Sequence, residues 1–109
     1  MGASAQRTPE WSLSLPVVLR PEAQEEIRDA HAWYEDAQFG LGERFIAQLD
    51  ALITRISRSP EHFPQAFGFK RAIVPSFPYC VYFRAGADTV VIVAVLHGRR
   101  NPLRLSRRR

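Results

Sequence analysis

The sequence predicts an α+β domain in which a helical hairpin packs on a small, mainly antiparallel four-stranded sheet, in the order βααβββ. Three observations lead there. Apolar residues recur at three- and four-residue spacing through two consecutive stretches between Pro21 and Pro60, the pattern of helices that each bury one stripe. Three extended runs follow, at 67–74, 79–84 and 89–96, joined by Pro75-Ser76-Phe77-Pro78 and Ala85-Gly86-Ala87-Asp88, and connectors that short make neighbouring strands antiparallel. The last run, TVVIVAVL, is apolar on both faces and so belongs inside the sheet, with the hairpin covering one side.

Each element has its own local cause. Residues 1–12 show neither helical nor strand period and read as a flexible N-terminal extension. Residues 14–19 form a short apolar strand closed by Arg20-Pro21, and proline suits the first turn of a helix because its missing N–H would have no partner there. In the first helix Ala23, Ile27, Ala30, Tyr34 and Ala37 make one stripe, which Trp33 widens, while Asp29 lies beside it and the other acids read as a solvated face. Gly40-Leu41-Gly42 breaks the pattern. Phe45, Leu49, Leu52 and Ile56, flanked by Ile46 and Ile53, then form a second and more apolar stripe that ends at Ser59-Pro60, and so short a break makes the two helices an antiparallel hairpin.

Composition narrows the function classes. A chain of 109 residues with 46% hydrophobic content is one globular domain with a modest core. The longest apolar run, 90–96, is far below the roughly 20 residues of a membrane span, so a cytoplasmic location and no membrane partner are expected. One cysteine excludes an internal disulfide, and with three scattered histidines it offers no zinc spacing; no metal or cofactor is expected. The sequence contains no dinucleotide-binding GxGxxG, no P-loop, no HExxH and no serine nucleophile elbow.

Charge is unevenly placed. The net charge is +4, yet residues 22–36 carry six acids against Arg28, and residues 70–109 carry nine bases against Asp88. A basic half of this kind faces an anion, either nucleic acid or an acidic protein surface.

The chemistry-bearing stretch is Leu96-His97-Gly98-Arg99-Arg100-Asn101-Pro102, which leaves a core strand, turns at a glycine and displays two guanidiniums. Guanidinium forks bind phosphate or carboxylate bidentately and stay charged at cellular pH. A histidine beside them suits RNA cleavage, in which a base takes the 2′-hydroxyl proton while cations stabilise the phosphorane, so His97, Arg99 and Arg100 are the catalytic candidates. Arg71, Arg84 and Arg104 join Arg99 and Arg100 as candidates for binding RNA or a protein target. Strand alternation puts Tyr79 and Tyr82 on opposite faces, and likewise Lys70 and Arg71, while Cys80 and Arg84 share the face of Tyr82. One of the two tyrosines therefore faces the helices, and the other is placed to stack on a base or a partner side chain. Cys80 reads as a small core residue.

These residues assemble a resemblance. Pro21-Glu22-Ala23, Trp33-Tyr34-Glu35, Gly40-Leu41-Gly42-Glu43-Arg44-Phe45, Ser59-Pro60 with Phe63-Pro64, Arg71-Ala72, Phe77-Pro78-Tyr79 with Val81-Tyr82, and Val95-Leu96-His97-Gly98-Arg99-Arg100-Asn101-Pro102 occur in this order. Over residues 15–104 the chain resembles the RelE/ParE toxin superfamily of bacterial type II toxin–antitoxin systems. The resemblance implies a toxin domain over 13–104 with a basic tail at 105–109, neutralised by a cognate antitoxin through which alone it reaches operator DNA. It implies one of two targets: RelE-like members cleave ribosome-bound mRNA, and ParE-like members inhibit DNA gyrase. The ribonuclease branch typically carries an acid–base tyrosine or histidine near its C-terminus and an arginine just before the third strand. Residues 103–109 contain neither ring, and Pro75-Ser76 stands where that arginine would fall. The expectation is thus a ParE-like growth inhibitor acting on gyrase, with a RelE-like endoribonuclease and an inactive, antitoxin-binding remnant as the alternatives.

Overall fold

The chain was analysed as a computed structural model that describes residues 14–99 together with Leu105 and Arg108. The extension at 1–12, Arg100, Arg104 and the remainder of the tail lie outside the described residues. A short strand, β1 (Val17–Leu19), leads into α1 (Pro21–Ala37) and α2 (Leu41–Arg58), and a single 3₁₀ turn follows at Pro60–His62. The rest is sheet: β2 (Gln65–Ala66), β3 (Phe69–Ile73), β4 (Tyr79–Ala85) and β5 (Val90–His97).

The first helix starts at the proline as read, and the second starts inside the expected break, at Leu41, so that Gly42 lies in its first turn. Proline opens α1, and Gly40, with φ at 84°, precedes α2 in the left-handed region. The turn between them is built on a side chain: the Glu35 carboxylate accepts the Gly40 N–H at 2.8 Å and the Gly42 N–H at 3.0 Å. Gly42 is required by close approach, since a Cβ there would stand 2.6 Å from the His31 carbonyl oxygen. The α2 stripe is buried as read, with Phe45, Leu49, Leu52 and Ile56 all in the core. The α1 stripe is narrower than expected. Ala23 and Ala30 are buried and Ile27 and Tyr34 pack against them, but Ala37 is exposed and Trp33 is 71% exposed. Trp33 sits one step outside the alanine row, and small alanines let the helix lie close to the sheet without rolling the indole inward.

The sheet has five strands and is mixed, which corrects the four-stranded expectation. Its order is β1-β5-β4-β3-β2, with β1 parallel to β5 and every other pair antiparallel. The extra strand arises because the run at 67–74 begins with a turn: Phe67 and Gly68 have φ of 57° and 83°, the two positive values of a tight hairpin. Gln65 and Ala66 thereby pair with Lys70 and Phe69. The apolar run at 89–96 is interior as expected, flanked by β1 and β4.

Two clusters fill the two faces of the sheet. On the hairpin side, Phe45, Phe77, Val81, Phe83, Ile92 and Val95 pack with the helices, and Tyr34, Phe45, Phe77 and Tyr79 form a chain of ring contacts at 4.9–5.4 Å. On the opposite side Phe69, Tyr82, Val93, Ala94 and Leu96 form a smaller cluster closed by Leu105, which is 1% exposed.

Candidate functional site

Pleating distributes the candidate side chains between the two faces. β3 and β4 pair with Arg71 opposite Tyr82 and Ile73 opposite Cys80, so Phe69, Arg71 and Ile73 share the face of Cys80, Tyr82 and Arg84, away from the helices. There the Arg84 guanidinium lies 6.0 Å over the Phe69 ring, and Phe67 approaches Tyr82 at 6.2 Å. Burial pushes the Tyr82 hydroxyl above the usual tyrosine range and neighbouring Cys80 adds to this, while a hydrogen bond and the charge of Arg71 pull the other way. A phenol held protonated in this way is a poor base, and with its ring buried under the smaller cluster Tyr82 offers no face for base stacking.

His97 stands on the other side. Its register partner is Tyr79, the two rings meet edge-on at 5.4 Å, and Tyr79 in turn packs on Phe45 of the hairpin. Tyr79 is thus the tyrosine that faces the helices. The His97 Nδ1 accepts the Arg99 backbone N–H at 3.1 Å, which fixes the ring and leaves Nε2 as its other polar atom. Arg99 is exposed beside it. The sheet therefore separates His97 and Arg99 from Arg71 and Arg84. Lys70 is turned to the hairpin side, where its Nζ donates to the Phe63 carbonyl at 3.0 Å.

A second constellation was not singled out in the sequence. Between the first half of α1 and the end of β5 lies a cleft of about 210 Å³, walled by Glu22, Glu25, Glu26 and Asp29 and closed by His97 and Arg108. Arg108 donates through Nη2 to Glu26 Oε2 at 2.8 Å and through Nη1 to Glu26 Oε1 at 3.1 Å and the Val93 carbonyl at 3.2 Å. Glu26 Oε1 also accepts the Val95 N–H at 2.9 Å. The pair is well covered, with side-chain exposures of 12% and 15%. Glu26 thus departs from the solvated face expected of the α1 acids. Its position held the signal: it follows Ala23 by three residues and precedes Ala30 by four, inside the buried stripe.

A family model described as the ParE toxin of the type II toxin–antitoxin system parDE matches residues 17–102. The chain belongs to the ParE toxin family. Among solved structures, this ParE-family chain is similar to one described as a chromosomal ParDE toxin–antitoxin system from P. aeruginosa, at 9% identity and a TM-score of 0.67. The alignment covers 79% of this chain and 98% of that one, and at such low identity the likeness concerns the fold. A search of curated proteins gives no match. Among the described residues of the ParE-family chain, no helix is long and apolar enough to cross a membrane, and no group of three or more His, Cys, Asp and Glu is placed to hold a metal.

Proposed function

We propose that this ParE-family chain is a growth-inhibiting toxin that acts by binding DNA gyrase, and that a cognate antitoxin neutralises it. The observation that carries this reading over RNA cleavage is that the sheet parts the candidate base, together with its neighbour Arg99, from two of the candidate phosphate-binding groups, Arg71 and Arg84. His97 packs on Tyr79 on the hairpin side, whereas Arg71 and Arg84 project from the opposite face. General acid–base catalysis needs the base within hydrogen-bond reach of the proton it removes while cations hold the same phosphate. A binding toxin has no such requirement. Exposed Arg84 and Arg99, with the Arg100 and Arg104 of the sequence, supply charge for docking an acidic protein surface, which mainly speeds association and fixes orientation.

One observation favours the endoribonuclease as second reading. Arg71 is the register partner of Tyr82 on the face that also carries Arg84, so a phenol and two guanidiniums are neighbours there. The two readings separate in cells that express the chain alone, when DNA and protein synthesis are pulse-labelled in the first minutes after induction. Gyrase inhibition stops DNA synthesis first and raises a DNA-damage response; mRNA cleavage stops translation first; continued growth identifies an inactive antitoxin-binding remnant. On the gyrase reading, His97→Gln retains growth arrest and Arg99→Ala with Arg100→Ala abolishes it. Loss of arrest in a folded His97→Gln protein would overturn the assignment.

A further inference from the structure

The parallel partner of β5 is too short to cover it. β1 pairs with Val90, Val91 and Ile92, and the Arg20 N–H reaches the Ile92 carbonyl before the chain turns into α1. Among the described residues no strand lies beside 93–97 on that side. Side chains stand in for the missing strand: Arg108 meets the Val93 carbonyl and Glu26 meets the Val95 N–H.

We propose that this edge is a docking site for an extended segment of a protein partner that carries an arginine or lysine, and that Arg108 holds the place when the partner is absent. An incoming strand would make main-chain hydrogen bonds to β5, the mode in which a peptide extends a sheet. Entry displaces Arg108, and a well-covered Glu26 carboxylate then needs another cation, because a buried charge stripped of its partner is strongly unfavourable. Charge complementarity sets the occupant. Glu22, Glu25 and Asp29 line the same cleft, which repels nucleic acid even though the chain as a whole is basic. A second copy of β5 is a poor occupant, since its residues 93–97, Val-Ala-Val-Leu-His, bring neither arginine nor lysine to Glu26. The inference goes beyond the toxin reading, and its test reads binding rather than growth, so either can fail alone.

The probe is a blocked seven-residue peptide of alternating threonine and valine with a central arginine, together with its central-glutamate counterpart. Each is titrated into the full chain while the backbone amide signals of Val95 and His97 are followed by NMR. The arginine peptide is expected to shift both signals and to bind Arg108→Ala at least about tenfold more tightly than the unsubstituted chain, because the internal competitor is gone. Arg108→Lys, which keeps a cation but loses the two-pronged contact, falls between them and serves should the alanine variant fold poorly. Glu26→Gln loses binding, and the glutamate peptide does not bind. Equal affinity for Arg108→Lys and the unsubstituted chain, unchanged binding by folded Glu26→Gln, or binding of both peptides alike would overturn the proposal. Concentration-dependent dimerisation of Arg108→Ala without peptide would overturn it in favour of a second copy.

Discussion

Glu35 does the work of a cap for a turn that has none. Neither α1 nor α2 receives a side-chain hydrogen bond at its N-terminal cap, and the one carboxylate that organises their junction comes from the last turn of α1. The Gly40 hydrogen bond, helped by that of Gly42 and by the nearby His31, holds the Glu35 carboxyl below the ordinary glutamate range, and burial opposes this only in part. A depressed carboxyl contributes stability that is present above its unfolded pKa and lost as pH falls through its folded one. Melting temperature should therefore decline as the solution is taken from neutral to the acid side of about 4.3, and Glu35→Gln should flatten that decline while starting from a lower value. Thermal unfolding by circular dichroism across the acid range checks both. This role was hidden in the sequence, where Glu35 reads as one more acid on a polar face; what betrays it is only the pair of glycines five and seven residues on.

At the scale of elements, the two helices and the three longer strands were legible because burial on one face imposes a period. The β2–β3 hairpin was not. Its turn residue Phe67 is a bulky side chain at φ 57°, where asparagine or glycine is the usual signal, so the run looked continuous from Phe67 onward. Phe67 is also more than half exposed and touches Tyr82 only at ring distance, so little packing is lost by removing it. Phe67→Asn is accordingly expected to stabilise the fold by about 0.5–1 kcal/mol by relieving the left-handed conformation, measured as a shift in the denaturant midpoint. The parallel β1–β5 pair escaped in a similar way: a three-residue strand has too few positions to declare a direction, and its placement follows from which edge of β5 remains open.

For the whole molecule, the candidate site was half legible. The residue types and their order pointed to a family, but which residues share a face depends on strand register, and register is what sends His97 to the hairpin side and Arg71 and Arg84 to the other. The exposed aromatics follow the same logic of faces: Phe39, 94% exposed, lies just before the helical turn, where nothing in the hairpin or sheet can reach it. Leu105 is the reverse case. Set among arginines, it reads as tail, yet it seals the cluster opposite the helices. Leu105→Ala should cost about 2–5 kcal/mol in chemical denaturation, a core-sized penalty, whereas an exposed solvated leucine would cost close to nothing.

The pairing of β1 with β5 has a consequence for how the protein is made. Residues 17–19 find their partners only at 90–92, and Glu26 finds its own 82 residues later in the sequence. A chain emerging from the ribosome can close the helical hairpin early, since α1 and α2 are adjacent, but it must hold its first strand unpaired until residues 90–92 have appeared. Contacts that distant slow folding, because the entropy of bringing the ends together is lost before any pairing offsets it. Completion of the sheet therefore comes later than closure of the hairpin, and during that interval the nascent chain presents the unfinished edge to whatever stands ready to bind it.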